Sequence, residues 1–222
     1  AIFFRRGIAK KYGPRFTRRY RAKAQEIIYR GGRAEAVAIS GNERIPCDAV
    51  VLASAGGALP LISGTGFRAP LTSLTGFTLT LELSDSEALP ALTVASPEKG
   101  FILSRLDRRL RATGRFFLGS PAEKEKKAEC NRLYDAVMGS FENLRSNTVA
   151  SQFWSGEFLA SPDRFPLAGP VPGADNVILN IAHGPFGLAG AGESAEIAAA
   201  SALGEDPGEF AAFCSPGRFA EK

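Results

Sequence analysis

Two runs of apolar residues constrain the fold of this chain more than any other part of its sequence. Residues 48–57 read DAVVLASAGG and residues 176–182 read NVILNIA. Successive side chains of a strand point to opposite faces, so each run would present apolar side chains on both faces of a sheet. Strands of this kind are typical of parallel sheets that are covered on both sides. We therefore predict a buried parallel sheet, with Gly56 and Gly57 ending its first strand.

Other segments predict antiparallel strands. From Phe77 to Leu83 apolar side chains alternate with polar ones, which places the apolar set on one face of a strand. Residues 101–118 are interpreted as two further strands, and residues 24–39 as a hairpin that turns at two glycines. The middle of the chain is thus predicted to form an antiparallel sheet with one polar face.

The remaining long segments are predicted to be helical or irregular. Apolar residues at helical spacing predict a helix over 121–145, and an Ala-rich stretch predicts another over 193–203. Residues 154–172 are rich in Pro, Gly and Ser and are expected to form an ordered loop. Within it we expect Trp154 to anchor a core through its large ring. Asp163 is expected to hold the turn through hydrogen bonds to the backbone.

Charge is distributed unevenly along the chain. The net charge is +4, but residues 1–23 contain many Lys and Arg and no acidic residue. A basic arm of this kind is typical of segments that bind other protein subunits, RNA or anionic lipid, and of remnants of organelle-targeting sequences. A solvated tail is the alternative. The residues predicted to dock a partner are Arg5, Arg6, Lys10, Lys11, Arg15, Arg18, Arg19 and Arg21.

Residue types that usually carry catalysis or bind metals are scarce. Cys47, Cys130 and Cys214 lie far apart, so their spacing predicts neither a metal site nor a disulfide framework, and a reducing compartment is expected. His183 is the single histidine, which leaves no histidine cluster for zinc. We assign no catalytic residue and no metal ligand. A soluble protein is expected, because no apolar run reaches the length of a membrane span.

Five segments of the chain match an ordered set of motifs. They are residues 32–39 with 48–57, which match a hairpin and a "DAVVLAaGa" strand; residues 70–81; residues 101–114; residues 154–170, WSGEFLASPDRFPLAGP, which match "WxGxRPxTPDglPiiGP"; and residues 180–207, which match a closing strand, loop and helix. In this order they resemble the FAD-dependent superfamily of D-amino-acid oxidase, glycine oxidase and amino-acid dehydrogenases. Each motif alone is weak evidence, but the ordered set is specific.

The resemblance implies a fold with an α/β part and an α+β part. The first is a truncated FAD-binding parallel sheet of the glutathione-reductase type, and the second is a substrate-type domain built on an antiparallel sheet. The predicted divisions are a basic arm at 1–23, a remnant of the FAD-binding domain at 24–66 and 174–205, the substrate-type domain at 67–173 with its helix at 121–145, and a C-terminal tail at 206–222.

The resemblance also implies where a flavin would lie. In the family, a loop corresponding to residues 183–188 runs beneath the flavin ring. The implied cofactor-binding residues are Gly56, Gly57, His183, Gly184, Phe186, Gly187 and Leu188. The alternative is that the loop keeps its glycines because a tight turn needs positive φ, with His183 in a structural role.

The sequence departs from the family pattern in three places. It holds no G-x-G-x-x-G turn, which carries the FAD pyrophosphate in the family. Phe158 stands where the "WxGxRP" motif has an Arg that pairs with the substrate carboxylate, a task Phe cannot perform. Ala195-Glu196 replaces a Gly-Arg pair at the start of the closing helix. We therefore expect no bound cofactor in this chain alone, and FAD only where a partner chain completes the site.

The sequence leaves two functions open. The first is a catalytically degenerate member of the family that serves as a structural or interaction subunit of a larger, mitochondrial assembly. An RNA-associated protein, bound through the basic arm, is a variant of it. The second is the substrate-domain subunit of a split FAD-dependent amine or amino-acid oxidoreductase, whose partner chain supplies the remaining FAD-binding segment. A measurement of bound flavin separates the two.

Overall fold

The computed structural model describes residues 7, 11–84, 90, 92–141 and 143–220. In this part of the chain eleven strands form three sheets. The strands are β1 (Ala24–Arg30), β2 (Arg33–Ile39), β3 (Glu43–Pro46), β4 (Val50–Leu52), β5 (Thr72–Leu83), β6 (Val94–Ser96), β7 (Phe101–Leu106), β8 (Arg109–Leu118), β9 (Thr148–Ala160), β10 (Leu167–Val171) and β11 (Ala174–Ile181).

Helices pack on two of these sheets. Among the described residues, no helix is long and apolar enough to cross a membrane. The predicted helix over 121–145 is wrong at its C-terminal end. It stops at residue 138, where Gly139, a poor helix former, is followed by Ser140, whose hydroxyl donates to the carbonyl of Ala136. The Ala-rich helix is confirmed. The helices are α1 (Glu123–Met138), α2 (Leu144–Asn147), α3 (Ala191–Leu203) and α4 (Ala211–Cys214).

The first sheet is antiparallel and has the strand order β1-β2-β3. The hairpin predicted at 24–39 is confirmed, and Gly31 and Gly32 form its two-residue turn with φ of 57° and 80°. The third strand, β3, is absent from the sequence-based prediction. It follows a turn at Asn42 and pairs with β2, with Val37 opposite Ile45. Four residues are too few for a clear alternation of apolar and polar side chains.

The second sheet has the order β10-β11-β4, with β11 parallel to β4 and antiparallel to β10. The predicted parallel sheet is therefore a mixed sheet, with one parallel pair in the described ranges. β11 is buried on both faces from Val177 to Leu179, as predicted. For β4 the prediction is wrong, because Val51 is 47% exposed between buried neighbours. The described residues thus cover only one face of β4.

A buried amide joins these two sheets. The side-chain nitrogen of Asn176 donates to the carbonyls of Ala34 (2.8 Å) and Asp48 (2.9 Å), and its oxygen accepts from the Ala34 amide at 2.9 Å. A buried amide group is costly unless its hydrogen bonds are made, and here each side-chain heavy atom has a partner. Around this link the two sheets share one apolar core, which includes Ile27, Val50, Leu167 and Leu179.

The third sheet has five antiparallel strands in the order β6-β7-β8-β5-β9. The alternation predicted from Phe77 to Leu83 is confirmed, and the apolar side chains of β5 pack against α1. The two strands predicted within 101–118 are confirmed as β7 and β8. The opposite face of this sheet carries no helix among the described residues.

The segment 154–172, predicted to be a loop, is mostly strand. Its first part belongs to β9, which pairs along the full length of β5, and residues 167–171 form β10 in the mixed sheet. Pairing with long neighbouring strands outweighs the low strand propensity of Pro and Gly. The loop is confined to residues 161–166, where the Asp163 carboxylate accepts from Ser161 Oγ (2.8 Å) and the Phe165 amide (3.1 Å), as predicted.

Candidate functional site

A pocket of about 340 Å³ lies at the carboxyl ends of the parallel strands β4 and β11. In open α/β sheets this is the usual position for ligands. The pocket is closed on one side by the end of β9 and on the other by the start of α3. The residues that line it are Ala53, Ala55, Phe158, Leu159, Asn180, Ile181, Ala182, His183, Gly184, Gly187, Ala191 and Ser194.

The loop between β11 and α3 is shaped by an unusual backbone. Ala182, directly before it, has a φ of 62°, in the left-handed region that costs a residue with a Cβ about 1 kcal/mol or more. Gly184 has a φ of 59° and begins a short 3-10 helix. A Cβ at Gly187 would lie 2.9 Å from the Cβ of His183, so this position has no room for a side chain. Strain and tight packing of this kind cluster at functional sites.

His183 is held by one hydrogen bond. Its Nε2 lies 2.9 Å from the hydroxyl of Ser194 in the first turn of α3. Burial lowers the pKa of the imidazole, so His183 is neutral at physiological pH. The side chain thus ties the loop to the helix without bringing a charge into the pocket.

The pocket has an apolar lining with a single unsatisfied polar group. Among the described residues that line it, none carries a full charge at neutral pH. The side-chain oxygen of Asn180 is buried and has no hydrogen-bond partner in the described part of the chain. An uncharged, largely apolar ligand that bears a hydrogen-bond donor suits such a site.

An aromatic surface extends from the pocket along the open face of the five-stranded sheet. Phe158 lies in the pocket wall, and its ring meets that of Phe116 edge to face, with 5.4 Å between ring centroids. Trp154 follows on the same face of β9. We call Phe116, Trp154 and Phe158 the aromatic strip.

The prediction that Trp154 anchors a core is wrong. Its side chain is 61% exposed, and its six-membered ring lies over Gly156, where a Cβ would overlap it. The absence of a side chain at residue 156 lets the ring lie flat on the strand. A size argument alone cannot find this arrangement.

The sequence and the fold of the chain are similar to those of known proteins. The sequence profile of the family described as FAD dependent oxidoreductase matches residues 8–201. The chain belongs to this family. The resemblance inferred from the five motifs is thereby confirmed.

Curated relatives within the family include two bacterial D-amino acid dehydrogenases. The one from Xanthobacter autotrophicus is 28% identical over 205 residues, which are 92% of this chain and 48% of the relative. The one from Sinorhizobium medicae is 30% identical over 193 residues, which are 87% of this chain and 45% of the relative. The chain thus spans about half the length of the curated relatives it matches.

Solved structures show the same fold at low sequence identity. L-amino acid deaminase from Proteus vulgaris has a TM-score of 0.74 at 22% identity, covering 96% of this chain and 53% of that one. Glycine oxidase from Geobacillus kaustophilus has a TM-score of 0.75 at 17% identity, covering 90% of this chain and 53% of that one. L-proline dehydrogenase from P. horikoshii has a TM-score of 0.77 at 15% identity, covering 95% and 56%.

The structure brings together only some of the residues that the resemblance implies for FAD. His183, Gly184 and Gly187 line the pocket. Gly56 and Gly57 lie in a short 3-10 helix directly after Ala55, beside the pocket rather than in its wall. Phe186 and Leu188 turn outward and are 79% and 94% exposed. The assignment of these seven residues to a cofactor stays a prediction.

Two polar residues of the pocket, Asn180 and Ser194, are absent from the sequence-based list. Asn180 interrupts the apolar run of β11 near its end, which is a signal that the sequence analysis could have used. Ser194 offers no comparable signal, because its role depends on the approach of α3 to His183.

The pocket fits the ring system of FAD in chemical character. An isoalloxazine ring is flat, uncharged and edged with hydrogen-bonding groups, which agrees with the uncharged lining, the free acceptor of Asn180 and the close approach that Gly187 permits. Ala53, Phe158, His183, Gly184 and Gly187 would therefore hold the ring. We assign no other part of the cofactor to this chain.

The described part of the basic arm contacts the first sheet through Arg19 and Lys23. Arg19 forms an ion pair with Glu43 on β3, with 2.6 Å between the charged atoms. Arg18 donates to the hydroxyl of Tyr20 at 2.8 Å. Lys11, Arg15 and Arg21 are exposed. Of the predicted docking residues, Arg5, Arg6 and Lys10 lie outside the described residues, and docking through the arm stays a prediction.

Proposed function

We propose that this chain supplies the flavin-ring pocket and the substrate-facing sheet of a FAD-dependent amine or amino-acid oxidoreductase. The observation that carries the proposal is the meeting of three elements at one uncharged pocket: the carboxyl ends of β4 and β11, the glycine loop at 183–187, and Phe158 of β9. The names of the relatives support the substrate class, since they are dehydrogenases, deaminases and oxidases of amino acids.

In this proposal the residues of the chain bind and orient, and bound FAD supplies the hydride acceptor. The strained turn at Ala182 aims the loop backbone into the pocket, and Gly187 leaves room for close approach of a ring. Phe158 and Leu159 exclude water from the same space. His183, bonded to Ser194, keeps the loop and α3 in register.

The alternative proposal is that the chain is a catalytically degenerate family member, a structural subunit of a larger mitochondrial assembly. Phe158 favours it, because a carbon ring stands where the family motif has an Arg for the substrate carboxylate. Glu193 in the first turn of α3 points the same way, since a carboxylate there opposes the binding of an anionic group at the helix N-terminus. This alternative predicts no bound flavin.

The deciding measurement is the visible absorbance spectrum of the protein in its native assembly, followed by release of any flavin with acid. We expect a flavin spectrum at one equivalent per chain. A colourless protein that remains bound to its partners would favour the structural subunit instead.

A pair of glycine variants tests whether flavin occupies this pocket. Gly187→Ala places a Cβ against His183 and should remove most of the flavin. Gly192→Ala is the matched control, because a Cβ there meets nothing within 4 Å. Equal flavin content in the two variants would contradict the assignment of the ring to this pocket.

A further inference from the structure

We propose that the aromatic strip holds a large apolar or aromatic substituent of the amine substrate. The inference rests on the proposed function, because it takes the pocket as the reacting end of the site. Phe158 belongs to both surfaces, so a substrate that lies against a flavin ring in the pocket would extend over the strip.

The register of the strands places the three rings on one face. On β9, Phe158 is opposite Leu74, Gly156 is opposite Gly76, and Trp154 is opposite Thr78. Phe116 of β8 is opposite Gly76 from the other side. Because the spacing is about 3.3 Å per residue, Phe158 and Trp154 are separated by about 13 Å along the strand. Because the Trp154 ring lies over Gly156, it is nearer to Phe158 than this backbone separation, which suits an aromatic ring attached through a short chain.

Two glycines give the strip its shape. At Gly76 a Cβ would lie 3.1 Å from the ring of Phe116, and at Gly156 it would overlap the ring of Trp154. Glycine weakens a strand interior and often marks a place where a ligand approaches closely. Here both glycines leave space that neighbouring rings cover.

The rings remain open to a ligand. Phe116 is 46% exposed and Trp154 is 61% exposed, although most proteins bury such large rings. Covering them with an apolar group would remove that surface from water, which is favourable in proportion to its area.

Cationic side chains on this face lie far from the pocket. Arg111 is opposite Thr80 and donates to its hydroxyl at 3.3 Å. From Leu74, beside Phe158, to Thr80 is six residues of β5, which corresponds to about 20 Å. Arg111 therefore cannot pair with a carboxylate next to the reacting amine. The strip instead favours amines that carry a bulky apolar group.

The sequence provides a direct probe, because Trp154 is the only tryptophan. We would titrate the full chain with 2-phenylethylamine and with ethylamine while following tryptophan fluorescence. Saturable quenching by 2-phenylethylamine is expected, with ethylamine binding about tenfold or more weakly, since an aromatic contact and its buried area are lost. Equal affinities for the two amines would overturn the proposal.

Variants locate the binding. Gly156→Ala displaces the Trp154 ring and should weaken 2-phenylethylamine binding about tenfold, whereas Gly192→Ala should leave it unchanged. If Gly156→Ala fails to fold, Phe116→Leu serves in its place, because it keeps an apolar side chain at an exposed position and removes one ring. Unchanged affinity in the folded variant would overturn the proposal.

The outcomes separate this inference from the proposed function. A yellow protein with one flavin per chain and no preference for 2-phenylethylamine would contradict only the inference. A colourless protein that still prefers 2-phenylethylamine would support the strip and contradict the flavin proposal. A blue shift of the tryptophan emission with protein concentration, without ligand, would show that a second copy covers the strip, and would overturn the inference.

Discussion

The two faces of the five-stranded sheet are built from alternate residues of the same strands but differ in what covers them. On β5, Leu79 and Leu81 point toward α1 and are fully buried, while Thr78 and Thr80 point to the open face. Since side chains alternate along a strand, neighbouring positions can serve separate purposes. The covered face stabilises the sheet, and the open face is free to bind. Substitutions at adjacent residues should therefore separate stability from binding.

The largest effect is expected on the covered face. Leu79→Ala removes a fully buried side chain and should lower the free energy of unfolding by about 2–5 kcal/mol, because it leaves a cavity against α1. Urea unfolding followed by circular dichroism measures it. Trp154 emission in the folded variant should match that of the original chain. A loss below about 1 kcal/mol would mean that the sheet does not depend on this cover.

The next largest effect on stability is expected from Glu129, which attaches α1 to the covered face of the sheet. The buried carboxylate of Glu129 accepts from Arg132 Nε (2.8 Å) and from Arg115 of β8 (3.0 Å). Burial alone would raise the pKa of Glu129, but the hydrogen bonds and charges of the two guanidinium groups outweigh it, and the pKa is lowered. Glu129→Gln should cost about 2 kcal/mol at neutral pH, as expected for hydrogen bonds to a charged group.

Exposed Glu123, also on α1, provides the control for this substitution. It pairs only with Lys126 among the contacts described, so Glu123→Gln should change the free energy of unfolding by less than about 0.5 kcal/mol. Because the folded-state pKa of Glu129 is lowered, its contribution is present at neutral pH and declines as the pH falls through that lowered pKa. Equal effects of the two variants would contradict a role for the buried carboxylate.

A smaller effect on stability is expected from Asp163, in the loop that follows β9. Arg218 donates to both oxygens of Asp163, at 2.8 and 3.1 Å, and thereby connects the C-terminal segment to the loop after β9. This hydrogen bonding lowers the pKa of Asp163 to about 2. Asp163→Asn should cost about 1 kcal/mol after screening by solvent.

The pH dependence of Asp163→Asn sharpens this prediction. A carboxyl with a depressed pKa contributes stability above its unfolded pKa of about 4, and the contribution is lost as the pH falls toward about 2. The variant and the original chain should therefore differ most in urea midpoint at neutral pH. The difference should vanish as the pH approaches about 2. Asp175→Asn, at an exposed position of β11, is the control substitution. A difference that persists in acid would contradict the ion pair.

The smallest effect on stability is expected next to Leu79. Thr78→Ala on the open face should change the free energy of unfolding by less than about 1 kcal/mol, the span of strand propensities. Because Thr78 is opposite Trp154, the tryptophan emission should shift even though stability hardly changes. A loss comparable to that of Leu79→Ala would contradict the division between the two faces.

The covered face could be predicted from the sequence because burial of one side of a strand makes apolar and polar residues alternate along it. The predictions for β4 and Trp154, which rested on an apolar run and on the size of a ring, were wrong. In β4 the apolar run resembles that of β11, but a run of apolar residues does not say what covers it, and Val51 is exposed. Trp154 depends on Gly156 and on pairing with β5, so its position follows from neighbours in space.

The pocket could be predicted only in part for the same reason. Its glycine loop was implied by a family motif that is continuous in sequence. Asn180, Ser194 and Ala53 come from three separate parts of the chain. The pairing of β4 with β11 and the packing of α3 on β11 bring them to one place. Local patterns carry no information about such a meeting.

The amide of Asn176 has a consequence for how the protein opens. One side chain holds backbone groups of Ala34, on β2, and Asp48, before β4, while its own backbone belongs to β11. Loosening β11 therefore releases the hairpin sheet as well, and the two sheets should exchange their amide hydrogens as one cooperative unit. We therefore expect the Ala34 amide to be protected from hydrogen exchange for as long as the amides of β11, the strand that borders the pocket.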